Sequence, residues 1–146
     1  MTAEIELLLV DDNHSDADMV IRVLRKNNLA GKLLHLKDGA EALDFIFREG
    51  KYAGLEMQKP SKAIFLDLNM PRIGGIDVLR KIKADERTKK IPVVVLTSSK
   101  ENSDVQTCYD LGANGYIVKP VEFEEFQKTI SDLAQFWMRT NQPPNF

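Results

Sequence analysis

Five short apolar runs constrain this chain more than any other feature: Ile5 to Val10, Lys32 to Leu36, Ala63 to Leu66, Val93 to Leu96 and Gly115 to Val118. Within them LLLV, AIFL, VVVL and YIV show little polar alternation, which suits strands of a parallel sheet covered on both faces. The segments between them follow a helical period instead. Ala17, Val20, Ile21 and Leu24 share one helical face, as do Ala42, Leu43, Ile46 and Phe47, and then Ile76, Leu79 and Ile82 with the aliphatic stem of Lys83. Punctuation agrees with this division: Asn28 and Gly31 close the first helix, Asp38-Gly39 precede the second, and Pro71 with Gly74-Gly75 precede the third. Regular alternation of strand and helix predicts an α/β protein, a doubly wound parallel sheet with right-handed crossovers.

The chain of 146 residues has room for one full hydrophobic core, so one domain is expected over 1–146, with its core at about 5–138 and a tail at 139–146. Glu49 to Lys62 reads as a long connection, not a boundary. A formal charge of −2 and the lack of a basic block argue against direct nucleic-acid binding. No stretch approaches the roughly 18 apolar residues of a membrane span, and the acidic start MTAEIELLLVDD does not resemble a leader, so a cytoplasmic protein is expected. The single Cys108 has no internal disulfide partner, in keeping with a reducing compartment.

In an open parallel sheet the functional crevice lies beyond the carboxyl ends of the strands. Here those ends carry Asp11-Asp12, Asp67, Thr97-Ser98 and Lys119-Pro120, which should converge on one edge. Carboxylates clustered in a partly buried site repel each other unless a cation neutralises them, and hard oxygen donors suit Mg²⁺ or Mn²⁺. Each Asp taken alone is equally well explained as a helix cap; all of them together at strand ends are not. Lys119 follows YIV directly, so its ammonium should point along the strand to pair with Asp67 and then with phosphoryl oxygens. Thr97 reads either as a β-branched strand residue or as a hydroxyl donor to an anion, and its place at a strand end favours the donor.

The segments Val10-Asp11-Asp12, Leu66-Asp67-Leu68-Asn69-Met70-Pro71 with Gly75, Leu96-Thr97-Ser98 and Tyr116-Ile117-Val118-Lys119-Pro120 resemble the receiver domain of two-component response regulators, over nearly all of Ile5 to Ile130. The resemblance implies the flavodoxin-like form of the fold, a five-stranded parallel sheet with five helices. It implies that Asp67 is the phosphoacceptor, that Asp12, Asp67 and the Asn69 backbone carbonyl ligate Mg²⁺, and that Asp11 binds through water. Thr97 and Lys119 would hold phosphoryl oxygens, Asn69 and Ser99 would tune the lifetime of the acyl phosphate, and Tyr116 would act with Thr97 as the switch. A cis peptide before Pro120 is also implied. The segment REGKYAGLEMQKPSK, the phrase LDLNMP and the LTSS turn resemble the phytochrome-linked response regulators of cyanobacterial type, which would make the phosphodonor a histidine of a light-sensing kinase. His14, beside the acidic pocket, and His35, alternating with Leu in a strand, are not expected to donate.

Two rival classes are weighed against this reading. A phosphatase of the haloacid dehalogenase type also forms an aspartyl phosphate, but it needs a second Asp two residues after the nucleophile, where this chain has Asn69. A pseudo-receiver scaffold would lack part of the acidic cluster or the lysine, and both are retained. The chain is therefore expected to promote its own phosphorylation and dephosphorylation, without acting as a turnover enzyme. In the last helix Phe123, Phe126, Ile130, Leu133 and Trp137 recur at spacings of one buried face. Phe136 and Met138 are left over, which points to a homodimer through the fourth helix, fifth strand and fifth helix, responsive to phosphorylation.

Overall fold

Backbone pairing in the computed structural model, which describes residues 2–57 and 59–144, builds a central sheet from all five expected runs. The strands in chain order are β1 (Thr2–Ala3), β2 (Leu7–Val10), β3 (Leu33–Leu36), β4 (Glu56–Met57), β5 (Ala63–Leu66), β6 (Val93–Thr97) and β7 (Gly115–Val118). The main sheet runs β3-β2-β5-β6-β7, every pair parallel. That is the doubly wound order, with its reversal point between β2 and β5. Ile5 and Lys32 fall outside the strands and Thr97 is drawn into β6. The long connection holds more structure than its sequence indicates: a 3₁₀ turn at Gly50–Tyr52, and β4, which pairs in parallel with β1.

Five α-helices alternate with these strands: α1 (His14–Lys26), α2 (Gly39–Phe47), α3 (Gly75–Ala84), α4 (Asn102–Leu111) and α5 (Phe123–Gln135). The Asn13 side chain accepts the amide of Asp16 at 3.0 Å and that of Asp38 accepts the amide of Glu41 at 2.8 Å, satisfying first-turn donors that would otherwise be orphaned. Strand periodicity then sorts the core into two layers. Leu8, Val10, Ile64, Leu66, Val93 and Val95 meet Ala42, Ile46, Val78, Leu79 and Ile82 on one face. Leu7, Leu9, Phe65, Val94 and Leu96 meet Val20, Leu24, Phe126 and Ile130 on the other. Each large side chain so covered contributes about 1.5–3 kcal/mol. The edge strands differ from the expectation: β7 is half-buried throughout, because an edge strand has a neighbour on one side only.

The C-terminal stripe is also corrected. The fully covered residues are Phe126, Ile130, Ala134 and Met138, whereas Phe123 is 56% exposed and Leu133 and Trp137 are half-buried. Contact with α1 follows an i, i+4 ridge, so the buried line drifts away from the 3-4-3-4 pattern. Phe136–Thr140 then form a single π-helical turn that turns Met138 inward, where Lys62 Nζ donates to its carbonyl at 3.0 Å. Of the two residues expected to be left over, only Phe136 is, at 46% exposure.

Candidate functional site

At the carboxyl edge of the sheet, β2 delivers Asp11 and Asp12, β5 delivers Asp67, β6 delivers Thr97 and β7 delivers Lys119. Parallel register forces this meeting, since Val10 lies beside Leu66 and Thr97 beside Val118. Asp11, Asp67, Thr97 and Lys119 are buried while Asp12 faces solvent. Carboxylate oxygens of Asp11, Asp12 and Asp67 lie within 4.8 Å of one another. Close packing of the following loop holds Asp67 in place: a Cβ on Gly75 would sit 2.2 Å from the Asp67 carbonyl oxygen, so only glycine lets α3 begin this near the site.

Lys119 makes its expected ion pair with Asp67, but as the longest of three such contacts. Its Nζ donates to Asp11 Oδ2 at 2.9 Å and to Asp16 Oδ2 at 2.8 Å, whereas Asp67 Oδ2 stands at 3.8 Å, an ion pair without a hydrogen bond. Burial by itself would favour the neutral amine, yet the hydrogen bonds to Asp16 and Asp11 outweigh it and hold Lys119 above its ordinary range. Burial has the opposite result at Asp67. It pushes the carboxyl up to about 6 despite the pull of Lys119, and the Asp11 charge adds to the rise.

This environment fits a divalent cation. One ammonium serves Asp11, Asp16 and Asp67 together, leaving the cluster negative, and Asp11, Asp12 and Asp67 present hard oxygen donors to a common point. Asn69 lies exposed in the loop two residues beyond Asp67. Asp11 is further fixed by its neighbours: its Oδ1 accepts the Asn13 amide at 2.9 Å, and its backbone carbonyl lies 2.8 Å from His35 Nε2. A carbonyl only accepts, so that nitrogen carries the proton. His35 thus ties the end of β2 to β3, and His14 lies exposed at the start of α1.

On the other flank, Tyr116 donates its hydroxyl to the Ser99 carbonyl at 3.0 Å, and the Ser99 amide donates to Thr97 Oγ1 at 3.3 Å. The Ser99 hydroxyl is engaged elsewhere, donating to Asp104 Oδ2 at 2.5 Å, which ties the loop to the first turn of α4. The expected cis peptide before Pro120 is not found; every peptide bond among the described residues is trans. An X-Pro bond prefers trans by about 0.5–1 kcal/mol, and the Lys119 amide, which precedes that bond, continues the ladder to Thr97 O at 2.7 Å. Asp16 is the site residue that sequence reasoning missed. Its one signal is an acidic side chain four residues after Asp12, in the first turn of α1.

Comparison with known proteins bears on this geometry. Residues 7–131 match the model of the response regulator receiver domain. The probable methanogenesis regulatory protein FilR2 of Methanothrix harundinacea is 34% identical over 94% of this chain and 86% of its own length. Response regulator Rcp1 of a Synechocystis strain is 36% identical over 92% of this chain and 89% of its own. The Mn²⁺-bound structure of Rcp1 superposes with a TM-score of 0.88 at 34% identity, covering 95% of this chain and 98% of that one. The phosphorylated cyanobacterial phytochrome response regulator RcpA gives a TM-score of 0.89 at 33% identity, covering 98% of this chain and 100% of that one.

Proposed function

Since the chain belongs to the response regulator receiver family, we propose that it acts as one receiver domain in a cytoplasmic histidine-aspartate phosphorelay, taking a phosphoryl group onto Asp67 in a Mg²⁺-dependent reaction. The observation that carries this reading is the meeting of Asp11, Asp12 and Asp67 within 4.8 Å beside a buried lysine. A carboxylate oxygen of Asp67 attacks phosphorus in line; the P–O bond forms as the P–N bond to the donor imidazole breaks, and the electron pair leaves on that nitrogen. Thr97 and Lys119, both buried, hold equatorial oxygens from preorganised positions. Asp12, Asp67 and the Asn69 carbonyl would hold Mg²⁺ directly and Asp11 through water, and the bound ion would supply charge neutralisation. Asn69 and Ser99 tune how long the acyl phosphate lasts. The chain promotes its own phosphorylation and dephosphorylation only.

Likeness to Rcp1 and RcpA supports a phytochrome-type sensor histidine kinase as the phosphodonor, and the Mn²⁺-bound Rcp1 structure supports a divalent ion in the acidic cluster. Phosphorylation draws on Thr97, which touches the Ser99 loop that Tyr116 also grips, and so reaches the face formed by α4, β7 and α5. Tyr109 and Phe123 are 48% and 56% exposed there, which supports self-association of two copies as the output. No helix among the described residues is long and apolar enough to cross a membrane. The test is intact-mass analysis after incubation with phosphoramidate: Mg²⁺-dependent gain of one phosphoryl group, lost in Asp67→Asn, is expected. Undiminished labelling of that variant would overturn the assignment.

A further inference from the structure

Three carboxylates share one ammonium at this site, and the two that hydrogen-bond to it do not include the proposed phosphoacceptor. Lys119 Nζ is hydrogen-bonded to Asp16 at 2.8 Å and to Asp11 at 2.9 Å while standing 3.8 Å from Asp67. Asp11 belongs to the proposed cation cluster, so a bound divalent ion draws on its charge; Asp16 lies outside that cluster and keeps its hold on the ammonium. An acidic residue in a first helical turn is often explained by the helix dipole alone. Here the side chain reaches across to a lysine 103 residues away in sequence, which a purely local role does not require.

We propose that Asp16 is a positioning residue that holds Lys119 back from Asp67 and thereby weakens the grip of the domain on a phosphoryl group. The inference rests on Asp67 being the phosphoacceptor. A phosphoryl group adds about two negative charges and three strong acceptor oxygens next to the lysine. To bond one of them well, Nζ moves off the Asp16 side of its pocket, and the contact at 2.8 Å is what that movement sacrifices. Phosphorylated and resting states are thus separated by less free energy than Lys119 alone would give, because a ligand shifts an equilibrium only by its differential interaction with the two states. Asp16 keeps the resting state competitive.

The chain itself allows a clean test. The Asp16 side chain is 26% exposed and lines an open cleft of about 420 Å³ with Asn13, Met19 and Phe123, so the isosteric Asp16→Asn fits without repacking. Beryllofluoride, a mimic of the phosphoryl group, is titrated in saturating Mg²⁺ by fluorine NMR, with folding checked by circular dichroism. Loss of a half-buried ion pair should tighten binding in Asp16→Asn roughly three- to tenfold. Asp16→Glu, which restores the charge, should return affinity to near the wild-type value. Asp18→Asn removes a carboxylate from the exposed face of the same helix and should change nothing. Unchanged or weaker binding in Asp16→Asn overturns the proposal, as does an equal gain in Asp16→Glu or in Asp18→Asn, which would show a steric or a diffuse charge effect. A wild type that binds no beryllofluoride overturns the phosphoacceptor reading itself, and this inference with it.

Discussion

Replacing Asp67 with Asn should stabilise the cation-free protein at neutral pH, although it removes the proposed phosphoacceptor. Burial pushes the Asp67 carboxyl from 3.8 up to about 6, so the folded chain holds that proton more tightly than the unfolded chain does. Between those values the native state binds more protons, and stability falls as pH rises through them. Above pH 6 the full cost is present. At about 1.4 kcal/mol per pKa unit, the displacement amounts to roughly 3 kcal/mol, with about 2 kcal/mol expected once relaxation around the charge is allowed for. Urea unfolding at fixed ionic strength with chelator should therefore give Asp67→Asn a lead of that order at pH 8, shrinking through pH 6 and nearly gone by pH 4. Saturating Mg²⁺ should close the gap at pH 8 from the other side, since a ligand at a hundred times its dissociation constant stabilises by about 2.7 kcal/mol. A gap independent of pH, or a wild type more stable than the variant at pH 8 in chelator, would refute the argument that burial sets the charge state of Asp67.

Lys119→Ala should keep divalent-cation binding while losing most of its response to beryllofluoride; a loss of Mg²⁺ affinity matching that of Asp12→Ala, read by calorimetry, would contradict the role given to the lysine. Gly75→Ala places a methyl group 2.2 Å from the Asp67 carbonyl and 2.7 Å from Leu68 Cα, both backbone atoms that cannot swing aside. It should cost about 1–3 kcal/mol and reduce labelling at Asp67, and an unaltered melting temperature with full labelling would count against the close-approach argument. Met138→Ala should destabilise by about 2–4 kcal/mol, because the side chain is 4% exposed, whereas Phe136→Ala should be nearly neutral in the monomer. Sedimentation of the wild type and of a Phe136→Ala, Trp137→Ala double variant, with and without phosphodonor and Mg²⁺, tests self-association: four identical monomer profiles would end the dimer model.

The reach of the sequence is clearest at the strand ends. Once five apolar runs imply a parallel sheet, topology alone brings Asp11, Asp67, Thr97 and Lys119 to one edge, and no side-chain detail is needed to see it. Asp16 escaped because an acid inside a helix looks like a response to the helix dipole; only the reach of Lys119 from β7 turns it into a site residue. The hydroxyl of Ser99 stood in the right motif, but which way it points is decided by Asp104 on the next helix. Pairing of β1 with β4 left no mark because two-residue strands leave no apolar run to notice. At the C-terminus the apolar residues were visible and the phase was not, since the i, i+4 ridge packed against α1 buries Ala134 and Met138 in place of Leu133 and Trp137.

Two of the ion pairs of Lys119 span 103 and 108 residues, joining the first helix and the end of the second strand to the end of the final strand of the sheet. A chain emerging from synthesis therefore gathers its aspartates long before it has the lysine that offsets them. Until then the acids of that edge lack their ammonium partner, which follows β7. β7 is seated by its pairing with the neighbouring β6, and the lysine that follows it then meets the earlier acids. The acids grouped at this edge should therefore make refolding respond to divalent ions in the surrounding medium, which should speed it as well as stabilise the finished fold.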